Sequence, residues 1–129
     1  GSQVGKVVLE DLVRGMGIKD VKVVNAFNIK ELRAAVRDSL DRPELSVIIN
    51  RGPCAVRTPR GSDPSIIDTE RCNQCGICLL IGCPAIQSDG KQLFIDSLMC
   101  MGEKCTICQQ ICPRQAIKPT SQLKTGVKK

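Results

Sequence analysis

Eight of the nine cysteines lie between Cys72 and Cys112, and this crowding constrains the chain more than any other feature. They fall in two runs with a shared grammar: Cys72-Asn-Gln-Cys75-Gly-Ile-Cys78 leading to Cys83-Pro84, and Cys100 then Cys105-Thr-Ile-Cys108 leading to Cys112-Pro113. Disulfide frameworks seldom group cysteines so closely, and no secretory signal opens the chain, so metal-binding thiolates in a cytoplasmic protein are the expected reading. Composition removes the competitors. With no His there is no Cys–His nucleophile pair, Cys–His zinc site, Rieske centre or His-ligated haem. Two Phe, no Tyr and no Trp leave no platform for stacking bases. No apolar run approaches the roughly 18 residues of a membrane span. Neither nucleic acid nor a membrane is expected as a partner.

The two cysteine runs are also an internal repeat. Ile67-Asp68 and Ile95-Asp96 each begin five residues before the first cysteine of their run. Ala85-Ile86 follows the first Cys-Pro directly, and Ala116-Ile117 follows the second after two extra residues. Each unit reads as strand, cysteine loop, short helix, strand, with Ser88-Asp89-Gly90-Lys91 as a hairpin turn between them. Three closely spaced thiolates suit one corner of an iron–sulfur cube, with loop N–H groups turned to its sulfurs. The fourth thiolate then comes from the Cys-Pro of the other half. Proline after that cysteine fits the first turn of a short helix.

The N-terminal half obeys different rules. Val8, Leu9, Leu12, Val13 and Met16 recur at helical spacing and Gly17 stops the helix. Val21–Val24 reads as a strand. Asn28 and Glu31 form a capping box ahead of a helix whose apolar face is Ile29, Leu32, Val36 and Leu40. Pro43 closes it, and Leu45–Ile49 reads as a buried parallel strand. Two strands leave open edges and bare faces, so this piece is expected to belong to a larger parallel-sheet domain or to dock on a partner. The Arg-, Pro- and Gly-rich stretch that follows, around 57–65, reads as a linker. Residues 1–3 read as a cloning scar and 120–129 as a basic flexible tail.

Residues 66–119 resemble a bacterial-type ferredoxin domain with two 4Fe–4S clusters. The resemblance assigns Cys72, Cys75, Cys78 and Cys112 to cluster I, and Cys100, Cys105, Cys108 and Cys83 to cluster II. Two loops depart from the family: four residues separate Cys78 from Cys83 where three are usual, and four separate Cys100 from Cys105 where two are usual. The first insertion, with Gly82-Cys83-Pro84-Ala85-Ile86 and the Asp-Gly hairpin, resembles the C-terminal ferredoxin domain of the large thiamine-diphosphate subunit of the indolepyruvate ferredoxin oxidoreductase family. Val47-Ile48-Ile49-Asn50-Arg51-Gly52-Pro53-Cys54 resembles the last strand of that family's cofactor domain, so residues 4–56 would be its remnant.

The resemblance implies an α+β fold: a two-cluster ferredoxin-like domain behind a truncated α/β segment. It implies a one-electron module of a CoA-acylating 2-oxoacid oxidoreductase acting on aryl pyruvates. The implied partners are the rest of the parent subunit, a second oxidoreductase subunit and an external ferredoxin. Thiamine diphosphate and Mg belong to the parent, because the thiamine-binding Gly-Asp-Gly motif is not in this chain, which lacks a complete catalytic site.

Bland alternatives stand beside this reading. Four-cysteine structural zinc would make the module an interaction domain, and clusters can be structural without being redox-active. A free-standing or differently fused electron carrier would keep the clusters without a thiamine enzyme. Cys54 reads as a small buried residue at a strand end, Asp68, Asp89 and Asp96 as loop-capping or solvated groups, and Phe94 as core. Ile77, Leu79, Leu80, Ile81, Ile107 and Ile111 are expected to pack beside the cysteines. The formal charge is +6, and two oxidised clusters with eight thiolates would bring it to about +2. The remaining basic surface is suited either to solvent or to an acidic partner.

Overall fold

The computed structural model describes residues 5–123; the expected scar at 1–3 and most of the expected tail at 120–129 lie outside the described residues. The chain forms two compact units, 1–52 and 53–129. The whole is a small α+β protein. Among the described residues no helix is long and apolar enough to cross a membrane.

The first unit runs α1 (Leu9–Gly15), β1 (Asp20–Asn25), α2 (Ile29–Leu40) and β2 (Ser46–Arg51). The strands pair in parallel, with Val21 opposite Val47 and Val23 opposite Ile49. Helix α1 ends where expected: Gly17 takes φ +88° and donates its N–H to Arg14 O. The capping box forms by half. Asn28 Oδ1 accepts the Glu31 N–H at 3.2 Å, but the Asn28 N–H is already given to Asn25 O. The Glu31 carboxylate therefore reaches back to the Asn25 N–H instead. Ion pairs fasten the layers: Lys22 Nζ lies 2.6 Å from Asp20 and 3.0 Å from Asp38, and Arg51 lies 2.6 Å from Glu10.

Little of this unit is enclosed. Among its described residues only Val24, Ala35 and Ile49 are buried. Leu12, Met16, Val36 and Leu40, which the periodicity puts on apolar faces, are exposed, and Leu45 lies outside β2 and in solvent. Two strands and two helices cannot cover both faces of a parallel pair.

The second unit holds two antiparallel pairs. β3 (Ser65–Ile67) pairs with β6 (Ile117–Pro119), joining its two ends, and β4 (Ile86–Ser88) pairs with β5 (Leu93–Ile95) as a hairpin. Short helical turns follow each cysteine loop: a 3₁₀ turn at Ile77–Ile81 and α3 at Ile107–Ile111. In the hairpin, Asp89 accepts the N–H groups of Lys91 and Gln92, both at 2.8 Å, and Gly90 takes φ +84°.

The internal repeat is visible bond for bond. Asp68 N–H donates to Ala116 O at 2.7 Å, and Asp96 N–H to Ala85 O at 2.8 Å. Each Asp carbonyl then accepts from the cysteine four residues on, Cys72 at 2.9 Å and Cys100 at 3.0 Å. Each Asp carboxylate caps its own turn, from Glu70 N and Leu98 N. Ala85 and Ala116 are equivalent and equally enclosed, at 1% exposure each.

The core of this unit is Ile67, Cys78, Ile86, Leu93 and Ile117, with Cys72, Cys83, Cys108 and Cys112 packed against it. Strand alternation turns Leu93 inward and Phe94 outward, so Phe94 is not core. Leu79 and Leu80 are also exposed, Leu80 at 86%, because a turn of only five residues has one inward side. Ile81, Ile107 and Ile111 are half-buried.

Candidate metal centres

The second unit gathers its cysteines by fold rather than by sequence order. Cys72, Cys75, Cys78 and Cys112 line one cavity, floored by Ile67, Leu93 and Ile117. Burial raises the Cys78 thiol pKa, and the negative charges of Cys72, Cys112 and Cys75 add to the rise. Cys112 belongs to the second run, so its partners lie across the repeat. The other group shows the converse crossing. Burial raises Cys105, with Cys83 and Cys100 near enough to add to it. Burial pushes Cys108 up to about 11, with Cys100, Cys105 and Cys83 contributing and the Ser65 hydroxyl opposing. Cys83 comes from the first run.

Backbone donors address the sulfurs. Cys100 Sγ accepts from Ser65 N–H and Gly102 N–H, each at 3.4 Å, and Cys112 Sγ accepts from Ala116 N–H at 3.3 Å. Among the described residues no three Cys, Asp or Glu side chains form a group that could hold a single metal ion.

The loops that carry the groups need unusual backbone. Gly76 follows Cys75 at φ +73°, and Thr106 follows Cys105 at φ +70°, so the repeat conserves the left-handed turn but places a β-branched residue in its second copy. Gln74 and Gln115 are also left-handed.

The second loop is covered. Gly61 N–H donates to Met101 O, the Glu103 carboxylate accepts from Ser62 and Asp63 N–H, and Lys104 Nζ donates to Pro59 O at 2.8 Å. The stretch 57–65 is thus fastened over the Cys100–Cys105 loop. A Cβ on Gly102 would lie 2.9 Å from Asp63 O, so glycine lets this covering approach. The sequence carries no local signal for it, since the partners stand about 40 residues apart.

Cys54 differs from its expectation. It is exposed rather than buried, because the chain leaves β2 at Arg51 and turns, with the N–H groups of Arg57 and Thr58 donating to Cys54 O. Hydrogen bonds from the Arg57 and Val56 N–H groups hold its thiol pKa below the ordinary value.

The cysteines suit an iron–sulfur centre in donor type, six of the eight are half-buried, and N–H groups point at Cys100 and Cys112. The mutual repulsion of thiolates within each group is the term a cationic core reverses.

Together these features define a small α+β module with a repeated cysteine loop. No family model matches the chain, and no solved structure does. Curated proteins do match. Indolepyruvate oxidoreductase subunit IorA of Archaeoglobus fulgidus is 38% identical over 124 residues, covering 91% of this chain and 20% of that protein. The subunit of the same name from Methanothermobacter marburgensis is 39% identical over 122 residues, 92% of this chain and 19% of its own length. That of Pyrococcus horikoshii is 33% identical over 118 residues. The chain belongs to this oxidoreductase subunit family and spans about one-fifth of the length of the relatives it matches.

Proposed function

We propose that this chain is the electron-transfer section of a 2-oxoacid oxidoreductase and holds two 4Fe–4S clusters in a ferredoxin-type domain. Cys72, Cys75, Cys78 and Cys112 would hold one, and Cys83, Cys100, Cys105 and Cys108 the other. The observation that carries this is the crossed grouping of the Cys-Pro cysteines, each with the other run's loop. When bound, each cluster supplies a centre that accepts and gives one electron. The chain's own part is to supply thiolates, direct N–H donors at Cys100 and Cys112, and set Ile67, Leu93 and Ile117 against water. Fewer waters and more N–H donors shift the potential in opposite senses, so the protein sets the balance.

The parent reaction proposed is CoA-dependent oxidative decarboxylation of indolepyruvate or a related aryl 2-oxoacid, with thiamine diphosphate and Mg bound outside this chain. The relatives' name supports the substrate. A second subunit and an external ferredoxin would be partners, in the cytoplasm. The exposed apolar faces of α1 and α2 support a first unit that completes its sheet within the parent subunit.

The test is iron, acid-labile sulfide and zinc per chain on protein purified without oxygen. About eight iron and eight sulfide are expected. Two zinc without sulfide, persisting after anaerobic reconstitution, overturns the reading.

A further inference from the structure

The two halves of the second unit are related by the repeat, yet they are finished differently. The Cys100–Cys105 loop lies under the stretch 57–65, and both its cysteines are partly covered. Among the described residues the first loop has no such cover. Cys75 is exposed, as are Asn73, Gln74 and Ile77 around it. Beside this bare loop is an open groove lined by Glu70, Arg71, Pro113, Arg114 and Gln115. Arg114 also lines the cavity of Cys72, Cys75, Cys78 and Cys112, so groove and cysteine group share a wall.

The basic residues here have no counterpart in the other half. The position of Arg71, one before Cys72, is occupied by Met99 before Cys100. Arg114 and Gln115 are the two extra residues after the second Cys-Pro. Gln115 takes φ +51°, a left-handed conformation that a non-glycine residue adopts only under strain. Arg71 is half exposed and lies 3.6 Å from Asp68, and Glu70 adds a second carboxylate to the groove. Arg114 makes no ion pair among the described residues.

We propose that the face formed by Arg71, Arg114 and the exposed Cys75 loop is the docking surface for a small acidic redox protein, and hence the outlet of the module. The proposal rests on the electron-transfer reading above. An anionic partner gains both guanidinium groups at the one place where a thiolate of either group reaches the surface. Each productive encounter reduces the partner by one electron and leaves the module oxidised by one. Guanidinium groups at such a rim steer encounter and fix orientation, and their effect weakens with salt.

The test is calorimetric titration of the anaerobically purified 129-residue protein with an oxidised, small, acidic ferredoxin at low and at 0.5 M salt, with iron and sulfide measured on the same samples. The double variant Arg71→Glu/Arg114→Glu is expected to bind about tenfold or more weakly at low salt and to lose most of the salt dependence. Lys30→Glu/Lys91→Glu changes net charge equally at exposed sites elsewhere, and is expected to weaken binding less than about threefold. Equal weakening by both doubles, or none by the arginine double, overturns the docking surface. So does failure of the ferredoxin to bind protein that carries its iron and sulfide. Protein lacking iron and sulfide after reconstitution overturns the electron-transfer reading itself, and the docking surface with it.

Discussion

Gly76→Ala isolates one physical quantity. The residue sits at φ +73°, and a Cβ built there meets nothing within 4 Å. The substitution creates no clash, so its cost is the left-handed backbone penalty alone, about 1–2 kcal/mol. That corresponds to about a 5- to 30-fold rise in the open fraction. The repeat supplies the reverse experiment. Thr106 already bears this penalty at φ +70°, so Thr106→Gly relieves it. The relief is reduced by loss of the bond that Thr106 Oγ1 accepts from Gln110 Nε2 at 3.0 Å, worth about 0.5 kcal/mol at an exposed site. A net gain of up to about 1 kcal/mol remains. Amide hydrogen exchange reads this locally. The Asp68 and Asp96 N–H groups, bonded to the carbonyls of the enclosed Ala116 and Ala85, report opening of the second unit only. In Gly76→Ala both should exchange about 5- to 30-fold faster. In Thr106→Gly they should exchange more slowly. Unchanged or slower exchange in Gly76→Ala would refute the argument that this turn requires a left-handed residue.

Three further outcomes follow from the same geometry. Ala85→Val and Ala116→Val each overfill a site that is 1% exposed, and each should cost about 1–3 kcal/mol in urea unfolding; a silent member of the pair would show that the repeat does not extend to packing. Glu103 is held below its ordinary value of 4.5 by its own backbone N–H first, then by those of Asp63 and Ser62. Its folded pKa lies below its unfolded one, so the unfolded chain takes up the proton first. The stabilisation is complete above about pH 4.5 and is lost as pH falls through the folded value. Glu103→Gln should flatten acid unfolding in that window, and an unaltered profile would remove Glu103 from the account. Cys54→Ser should leave iron at its wild-type level, whereas Cys83→Ser and Cys112→Ser should each lower it by about half; iron loss in the Cys54 variant would make that exposed thiol a ligand.

Much of the second unit was legible because its signals are local. An Asp four residues before a cysteine caps its own turn, Asp-Gly makes the hairpin, and an alanine after Cys-Pro fills a space too small for more. Each depends on neighbours within a few positions, and the repeat writes each of them twice. The first unit's element order was legible too, from helical spacing and from Asn28 at the head of α2. Its burial was not: Leu40 and Met16 satisfy the apolar pattern yet are exposed, because a pattern names the face to be covered and not what covers it. Cys54 failed similarly, since the strand it was read into ends at Arg51.

What the amino-acid order determined by itself was chemistry and duplication: nine thiols, eight of them in two runs, no imidazole, and a repeated cysteine loop. What only the tertiary structure decided was which copy of the loop is covered and which is left bare. β3 and β6 pair by long-range closure, joining the two ends of the unit, whereas β4 and β5 form a local hairpin. The covering of the second loop rests on bonds such as Asp63 N–H to Glu103, spanning 40 residues, and no local propensity encodes a contact at that separation. Two related loops therefore acquire different surroundings, one covered by its own chain and one open beside Arg71 and Arg114.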